Sequence, residues 1–319
     1  MTPRDDSESP EPRRSRWSDL DRPPLNAAAL RRALVREGGL WREVDVVQRT
    51  GSTNSDLVAR SAGSAGSARS ARSAGSAGSA GSAGSAGRGG RLEEGVVLVA
   101  EEQSAARGRL DRKWVAPARS GLFFSVSLRP GDAGVPMERW GWLPLLTGVA
   151  VAAGLARAGG VDTALKWPND VLVTVGGEER KAGGILAEAA GDGGVVVGVG
   201  VNVSLRTEEL PVPTAGSLAL AGAVSTDRDP LLRAVLRGLE DWYGRWRAAE
   251  GDAGACGLQE AYAAGCATLG RRVRAELPGE RALVGEAVAV DGDGRLVLAT
   301  EAGVQEPVGA GDIVHLRAG

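Results

Sequence analysis

The sequence predicts an α+β fold with two domains, a mixed sheet-and-helix domain followed by a small C-terminal β-barrel. The length of 319 residues indicates two domains, and the 43% of hydrophobic residues provide a sizeable core. Apolar runs of strand length are interrupted by two long helical patterns in the middle of the chain. The last stretch, roughly 50 residues, contains only short strand patterns at regular spacing, which is typical of a small barrel.

The N-terminal part is predicted to contain little regular structure. Residues 1–24 are rich in Pro, Arg, Asp, Glu and Ser and are predicted to form a disordered tail. A helix is predicted over Asn26–Glu37 and a strand over Val44–Val47, which leaves no room for a winged-helix DNA reader before this strand. Residues 61–91 consist mainly of Ser-Ala-Gly and Ser-Ala-Arg triplets. Glycine at this spacing opposes a helix, so we expect a flexible surface insertion.

The central part of the chain carries the predicted sheet and its covering helices. Strands are predicted at Val96–Ala100, Leu122–Leu128, Val171–Val175, Ala182–Ala189 and Val195–Val203. Helices are predicted at Trp140–Ala158, which is apolar, at Pro230–Arg247, which is amphipathic, and near Leu258–Ala264. Together with the N-terminal elements they form the first predicted domain, residues 25–267.

The predicted C-terminal domain, residues 268–319, is a series of short strands. They are placed at Val273–Glu276, Arg281–Val290, Leu296–Thr300, Gly303–Val308 and Ile313–Arg317. The segment Asp291-Gly292-Asp293-Gly294 has the composition of a hairpin turn and separates two of these strands. Such strands close most simply into a small barrel.

Composition excludes several classes of function. A net charge of −2 argues against a nucleic-acid binder that uses its whole surface, so phosphate chemistry must be local. His315 is the only histidine, and Cys256 and Cys266 have neither zinc-ligand nor redox spacing. We therefore predict no protein metal site. We find no signal peptide and no apolar run of about 18 residues, and we expect a cytoplasmic protein that binds no membrane.

Two segments carry polar residues next to predicted strands. Ser52, Thr53 and Asn54 follow a strand and open a helix, where they serve either as a helix cap or as a site for a polar or anionic ligand. The segment Glu101–Trp114 contains four cations and a glycine. Guanidinium groups and free backbone N–H groups suit a polyphosphate, although a solvated basic loop or a nucleic-acid patch has the same composition.

Two further segments place polar residues at sheet ends. In Leu165–Val173, the residues Trp167-Pro168-Asn169-Asp170 predict a turn between two strands, because proline fits a turn and not a central strand. The Trp167 ring suits a flat ligand, the Asn169 amide suits its polar edges, and the Asp170 carboxylate suits a cation. Lys181 precedes Gly183 and Gly184 at the start of another strand, where its ammonium either points to an anionic ligand or marks a charged strand edge.

The order of these motifs closely resembles the biotin protein ligase family. They are Ser-Thr-Asn, then Gln103 with an Arg-Gly-Arg loop, Lys-Trp-Pro-Asn-Asp, Lys-Ala-Gly-Gly-Ile-Leu and Gly-Val-Gly-Val-Asn, and the C-terminal Gly-Asp-Ile-Val-His-Leu-Arg continues the likeness. The resemblance implies a catalytic domain related to class II aminoacyl-tRNA synthetases and lipoate ligases, with an SH3-like barrel appended. In this family ATP, as a magnesium complex, and biotin form biotinyl-AMP, which then modifies a lysine of a biotin carboxyl carrier domain.

The resemblance also implies site residues at matching positions. Those assigned to biotin are Ser52, Thr53, Asn54, Gln103, Arg107, Gly108, Lys181 and Gly183. Those assigned to ATP and the adenylate are Arg107, Arg109, Arg112, Trp114, Asn169, Lys181 and Asn202. Lys181, Arg107 and Arg109 supply positive charge to the reaction, and Asp170 is hypothesised to orient or deprotonate the acceptor lysine, with a turn cap as its alternative role. Ala106 and Asp111 stand where the family's loop usually has glycine.

Two other functions remain alternatives at this point. A lipoate or octanoate ligase shares the fold and the transfer of an acyl group to lysine. A nucleic-acid-binding protein would use the basic loop, against which the net charge argues. We expect no nucleic-acid partner, and the assembly can be a homodimer.

Overall fold

The computed structural model describes residues 22–61, 91–109, 112–190, 193–277, 281–309 and 311–316. The predicted tail up to residue 21, almost all of the predicted insertion and Asp111 lie outside the described residues.

The secondary structure follows the predicted order. The helices are α1 (Ala27–Leu34), α2 (Thr53–Ser61), α3 (Trp142–Gly159), α4 (Arg228–Ala248) and α5 (Leu258–Gly265). The strands are β1 (Glu43–Val47), β2 (Val96–Ala100), β3 (Gly121–Leu128), β4 (Thr163–Lys166), β5 (Asp170–Val175), β6 (Glu178–Ala190), β7 (Gly194–Asn202), β8 (Arg272–Leu277), β9 (Arg281–Val290), β10 (Leu296–Ala299), β11 (Gln305–Val308) and β12 (Asp312–His315). Helix α1 ends three residues earlier than predicted, because the backbone becomes extended at Val35.

A seven-stranded sheet forms the centre of the larger part, in the order β1-β2-β3-β7-β6-β5-β4. Only β1 and β2 are parallel, and the other neighbouring pairs are antiparallel. Helices α3 and α4 pack against each other and contribute to the main core on one side of the sheet. Helix α2 belongs to a second core, in which Leu57 packs with Leu98 and Val196. The two faces of the sheet therefore have different roles, since α2 also opens the site described below.

Helix α3 is apolar around its whole circumference. By length and composition the segment Met137–Gly159 is long and apolar enough to cross a membrane, but 67% of its most apolar window is buried inside the protein. Trp142, Leu146 and Leu155 are all fully buried. A helix that is apolar all round and covered by protein is a core helix.

The C-terminal strands form a five-stranded antiparallel sheet in the order β11-β10-β9-β8-β12. The predicted hairpin turn is confirmed, since Asp291–Gly294 joins β9 to β10. Strands β11 and β12 are the two edges of this sheet, so closure into an SH3-like barrel stays a prediction. The boundaries of the two predicted domains stay predictions as well.

The single histidine lies where the C-terminal sheet meets the larger sheet. Its Nδ1 lies 3.3 Å from the Arg271 guanidinium, which can only donate, so Nδ1 accepts and the protonated Nε2 donates to Thr268 Oγ1 at 3.1 Å. Burial, and then the nearby Lys166 and Arg271, lower the pKa of His315 from 6.5 to about 4. The folded protein therefore keeps His315 neutral at pH values at which the unfolded chain protonates it.

This difference predicts a pH dependence of stability. Because the pKa of His315 is lower in the folded protein, its contribution is intact above pH 6.5 and is lost as the pH falls toward about 4. The free energy of unfolding, measured by urea denaturation, should fall more between pH 6.5 and 4.5 in the native protein than in His315→Gln. Parallel pH profiles of the two proteins would contradict this assignment.

Candidate active site

A cavity of about 530 Å³ lies at the face of the seven-stranded sheet that helix α2 opens. It is bounded by the start of α2, the loop after β2, the turn between β4 and β5, the strands β6 and β7, and the C-terminal strand β12. It brings together Ser52, Thr53, Asn54, Gln103, Arg107, Gly108, Arg109, Arg112, Trp114, Asn169, Asp170, Lys181 and Asn202. Every site residue predicted from sequence except Gly183 therefore lines one cavity.

Gly183 faces away from the cavity, and its neighbour Gly184 takes the expected place. A Cβ at Gly183 would lie 3.0 Å from the Gly200 carbonyl oxygen and would meet the neighbouring strands. A Cβ at Gly184 would point toward Trp114 at 3.5 Å and toward the Lys181 side chain at 3.6 Å. Because successive residues of a strand face opposite sides, Gly184 lines the cavity and Gly183 does not.

The start of α2 is held by a polar network. The backbone N–H and the hydroxyl of Thr53 donate to Gln103 Oε1 at 2.8 and 3.2 Å. Ser52 Oγ accepts from the Ser55 N–H at 3.4 Å, so the helix-cap interpretation is confirmed, and the ligand-site interpretation stays a prediction. The buried Ser125 hydroxyl lies 2.6 Å from Asn54 Oδ1, to which it donates because a carbonyl oxygen can only accept.

Glu188 joins the two sides of this corner and was missed in the sequence. Asn54 Nδ2 donates to one oxygen of Glu188 at 2.7 Å, and Arg107 donates to the other at 3.1 Å. Glu188 lies on β6 two and four residues after Leu186 and Gly184, which both line the cavity. The period of two along a strand was therefore the signal that could have found it.

The same period accounts for the glycines of β7. Gly198, Gly200 and Asn202 alternate along the strand and all line the cavity. A Cβ at Gly200 would lie 3.2 Å from the Trp114 ring, and one at Gly198 would lie 2.1 Å from Asn54 Oδ1. Glycine is required here because an aromatic ring and an amide lie directly on the backbone of the sheet.

The cavity is rich in positive charge although the whole chain is weakly acidic. Six of its lining residues are cationic, Arg107, Arg109, Arg112, Lys113, Lys166 and Lys181, and three are carboxylates, Asp170, Glu276 and Asp312, which gives a formal charge of +3. Burial lowers the pKa of the Lys166 ammonium and of the Arg109 guanidinium. An anionic ligand would relieve the repulsion among these groups.

The cations are held by specific partners. Lys181 Nζ lies 2.6 Å from Asp170 Oδ1, and Arg112 forms an ion pair with Asp312. Arg109 donates to Asn169 Oδ1 at 3.3 Å and to the Gly311 carbonyl oxygen at 3.2 Å. The basic loop thus contacts both the turn after β4 and the C-terminal sheet, which the sequence did not predict.

Trp114 lies over the glycines of the sheet. Its ring centroid is 6.0 Å from Lys181 Nζ, and its buried Nε1 has no hydrogen-bond partner among the described residues. A buried donor without a partner is unfavourable, so this N–H is available to a ligand in the cavity.

The predicted turn between β4 and β5 is confirmed, but the side chain of its Trp167 is buried and not open to a ligand as expected. The Trp167 side chain is only 2% exposed, and its indole N–H donates to the Gly294 carbonyl oxygen at 3.0 Å. Its ring therefore does not offer a free face to a flat ligand. Asn169 Nδ2 donates to the Ile185 carbonyl oxygen at 2.9 Å, and Asn202 Nδ2 donates to the Gly216 carbonyl oxygen at 3.0 Å, so both amides also hold the walls of the cavity.

No metal-binding cluster is present among the described residues, since no three His, Cys, Asp or Glu side chains converge there. Cys256 and Cys266 are free thiols, the first partly buried and the second buried.

Sequence comparisons define the class of protein first. The sequence model of the biotin/lipoate A/B protein ligase family matches residues 88–205, and that of the biotin protein ligase C-terminal domain matches residues 268–316. The fold and site thus belong to a protein ligase of the biotin and lipoate class.

Comparison with individual proteins identifies the family within this class. The biotin–[acetyl-CoA-carboxylase] ligase of Mycobacterium tuberculosis is 42% identical over 302 residues, which cover 94% of this chain and 98% of that protein. The bifunctional ligase/repressor BirA of Bacillus subtilis is 33% identical over 67% of this chain and 64% of its own length. The chain belongs to the biotin protein ligase family.

A solved structure has the same fold. The biotin protein ligase from Aquifex aeolicus, in complex with biotin and ATP, superposes with a TM-score of 0.61 at 24% identity and covers 87% of this chain and 100% of its own.

Proposed function

We propose that this protein ligates biotin to a lysine of a biotin carboxyl carrier domain in an ATP-dependent reaction through biotinyl-AMP. The observation that supports this most directly is the 42% identity to a biotin–[acetyl-CoA-carboxylase] ligase over nearly the whole of both chains. The cavity is consistent with the proposal, because it combines a polar corner at α2 with a surplus of positive charge.

The first step joins biotin to AMP. A carboxylate oxygen of biotin bonds to the α-phosphorus of ATP, the bond from this phosphorus to the bridging oxygen breaks, and pyrophosphate leaves with the electron pair. Both reactants are anions, so the protein must offset their repulsion. Lys181, Arg107 and Arg109 provide this charge, and magnesium enters with ATP as part of the substrate.

The second step transfers biotin to the acceptor. The lysine nitrogen bonds to the acyl carbon, the bond to the phosphate oxygen breaks, AMP leaves, and the nitrogen loses one proton. No nucleophilic side chain of the enzyme is needed, which agrees with the positions of His315, Cys256 and Cys266, since none of the three lines the cavity. Catalysis by positioning and charge is sufficient for this chemistry.

The cavity separates into two subsites in this proposal. Ser52, Thr53, Asn54, Gln103, Gly108 and Gly184 receive biotin. Arg109, Arg112, Trp114, Asn169 and Asn202 hold the nucleotide, and Arg107 and Lys181 serve both ligands. Gly184 replaces Gly183 because only Gly184 faces the cavity.

The proposed substrates also indicate the cellular location and the partners of the protein. Biotin, ATP and a carrier domain meet in the cytoplasm. We propose no role for nucleic acid, since the cations of the basic loop line the cavity and the whole chain carries −2. A homodimer is the proposed assembly if the enzyme is not a monomer.

Biotin-dependent exchange of radioactive pyrophosphate into ATP tests the first step. Exchange with biotin and none with lipoate or octanoate is the expected result. Exchange with lipoate or octanoate instead of biotin would assign the protein to the other branch of the class.

Replacing Arg109 by Gly should release the adenylate faster. The variant loses the contacts of the loop to Asn169 and Gly311 as well as one positive charge. Dissociation of biotinyl-AMP, measured by stopped-flow fluorescence, should be about tenfold faster, because the closed loop retains the intermediate. Two lost hydrogen bonds should change the free energy of unfolding by only about 1 kcal/mol each.

Arg109→Lys is the matched variant. It keeps the charge, but one ammonium replaces two guanidinium nitrogens that donate to different acceptors. An intermediate release rate is expected for it. A release rate of Arg109→Gly equal to that of the native protein would show that Arg109 does not hold the loop closed.

A further inference from the structure

The hairpin turn of the C-terminal sheet is held by two buried tryptophans from the other part of the protein. Trp142 Nε1 donates to the Gly292 carbonyl oxygen at 2.9 Å, and Trp167 Nε1 donates to the Gly294 carbonyl oxygen at 3.0 Å. Their side chains are 0% and 2% exposed. Gln259 Nε2 donates to the carbonyl oxygen of Val290, just before the turn, at 2.7 Å.

The hairpin turn packs closely against the backbone at the start of helix α3. Gly294 has a φ of +82°, and a Cβ there would lie 3.0 Å from the backbone of Gly141. A Cβ at Gly141 would in turn lie 2.4 Å from the Asp293 carbonyl oxygen. The backbones are in direct contact, so the turn cannot shift without moving what it touches.

The two tryptophans differ in what they are attached to. Trp142 begins helix α3 and does not line the cavity, whereas Trp167 lies buried in the cavity wall and belongs to the turn that carries Asn169 and Asp170 into the cavity. The Trp167 backbone N–H also donates to the buried Thr268 Oγ1 at 3.2 Å. The outer side of the turn is thus anchored near the C-terminal sheet.

The inner side of the same turn contacts two cations of the site. Asp170 pairs with Lys181 at 2.6 Å, and Asn169 Oδ1 accepts from Arg109 at 3.3 Å. Any displacement of the turn would therefore move the groups that orient both cations.

We propose that Trp167 is a positioning residue, through which the C-terminal hairpin turn Asp291–Gly294 fixes Asn169 and Asp170 against Arg109 and Lys181. The inference rests on the roles proposed above for these cations. It assigns the C-terminal sheet a task in catalysis that does not require its residues to touch the substrates. Since reaction rates depend steeply on the placement of catalytic groups, a small shift of the turn should lower kcat.

The matched pair Trp167→Phe and Trp142→Phe tests the proposal. Each variant replaces a buried indole by a phenyl ring and removes one hydrogen bond to the same turn. Both should lower the unfolding midpoint by similar amounts. Trp167→Phe should lower kcat for pyrophosphate exchange about tenfold, whereas Trp142→Phe should stay within about twofold of the native enzyme.

The KM for biotin provides a second readout. It should stay within about twofold in both variants, because the backbone N–H of Thr53 is held by Gln103, its hydroxyl lies 2.7 Å from Ser125 Oγ, and neither contact involves the turn. Equal losses of kcat in the two variants, or a native kcat in Trp167→Phe, would overturn the proposal. Absence of biotin-dependent exchange in the native enzyme would instead overturn the proposed function.

Thr268→Val decides the question if Trp167→Phe does not fold. It has nearly the same shape and removes the acceptor of the Trp167 backbone N–H. We expect kcat to fall about threefold to fivefold with an unchanged KM for biotin. His315→Gln, which alters the other partner of the Thr268 hydroxyl, should retain the native kcat. A native kcat in Thr268→Val, or the same loss in both variants, would count against the proposal.

Discussion

Replacing Lys181 by Ala should lower the rate of biotin-dependent pyrophosphate exchange by about 10²–10³-fold, the usual effect of removing one preorganised donor to developing charge. Lys181 lies on β6 with its ammonium in the cavity, 2.6 Å from Asp170. In the proposed reaction this ammonium faces the biotin carboxylate and the α-phosphate, which repel each other as they approach. Its side chain is 38% exposed, so the fold should tolerate its removal.

The neighbouring cation provides the control for this variant. Arg180 precedes Lys181 on the same strand and pairs with Glu178 at 3.3 Å outside the cavity. Arg180→Ala should exchange pyrophosphate at nearly the native rate. Transfer from preformed biotinyl-AMP should fall less than exchange in Lys181→Ala, because the repulsion has already been overcome. Equal losses in the two half-reactions would show that the role of Lys181 is wrong.

Strands of the core could be predicted closely from sequence. The bounds of β2 and β9 agree with prediction to the residue, because β-branched and alternating apolar runs define them. Strand β6 begins at Glu178, four residues earlier than predicted, since a tight turn at Gly176-Gly177 lets charged residues continue the pairing with β5. The charged residues at this partly exposed end of the strand do not alternate with apolar ones, so the sequence pattern could not indicate that they belong to the strand.

The site residues that belong to short sequence motifs could be predicted from sequence. The resemblance placed the motif residues in one cavity, but local sequence did not reveal partners that are distant in the chain. Glu188 and Ser125 lie on strands between apolar neighbours, and Asp312 reaches Arg112 across 200 positions. For Trp167 the motif led to a wrong expectation. Its place among polar residues indicated that its ring contacts a ligand, whereas in the structure the ring is buried and its N–H donates to the C-terminal turn.

Asp170 occupies the other end of the Lys181 ion pair, and its two possible roles predict different results. Its side chain is 19% exposed and accepts from Lys181 at 2.6 Å. In the proposed second step the attacking lysine loses a proton, and a carboxylate at this place can receive it. The alternative that the ion pair indicates, beside the turn cap expected from sequence, is that Asp170 only holds Lys181. The two roles differ in which half-reaction depends on the carboxylate.

Replacing Asp170 by Asn should therefore slow the transfer of biotin from preformed biotinyl-AMP to the carrier domain by about 10²-fold, within the range for loss of a general base. Asparagine has the same size and still accepts a hydrogen bond from Lys181, so pyrophosphate exchange should fall by less than about tenfold. Asp312→Asn removes another ion-paired carboxylate of the cavity and should affect transfer much less. If Asp170→Asn slows both half-reactions equally, Asp170 acts only by holding Lys181, and the proton of the acceptor lysine leaves by another route.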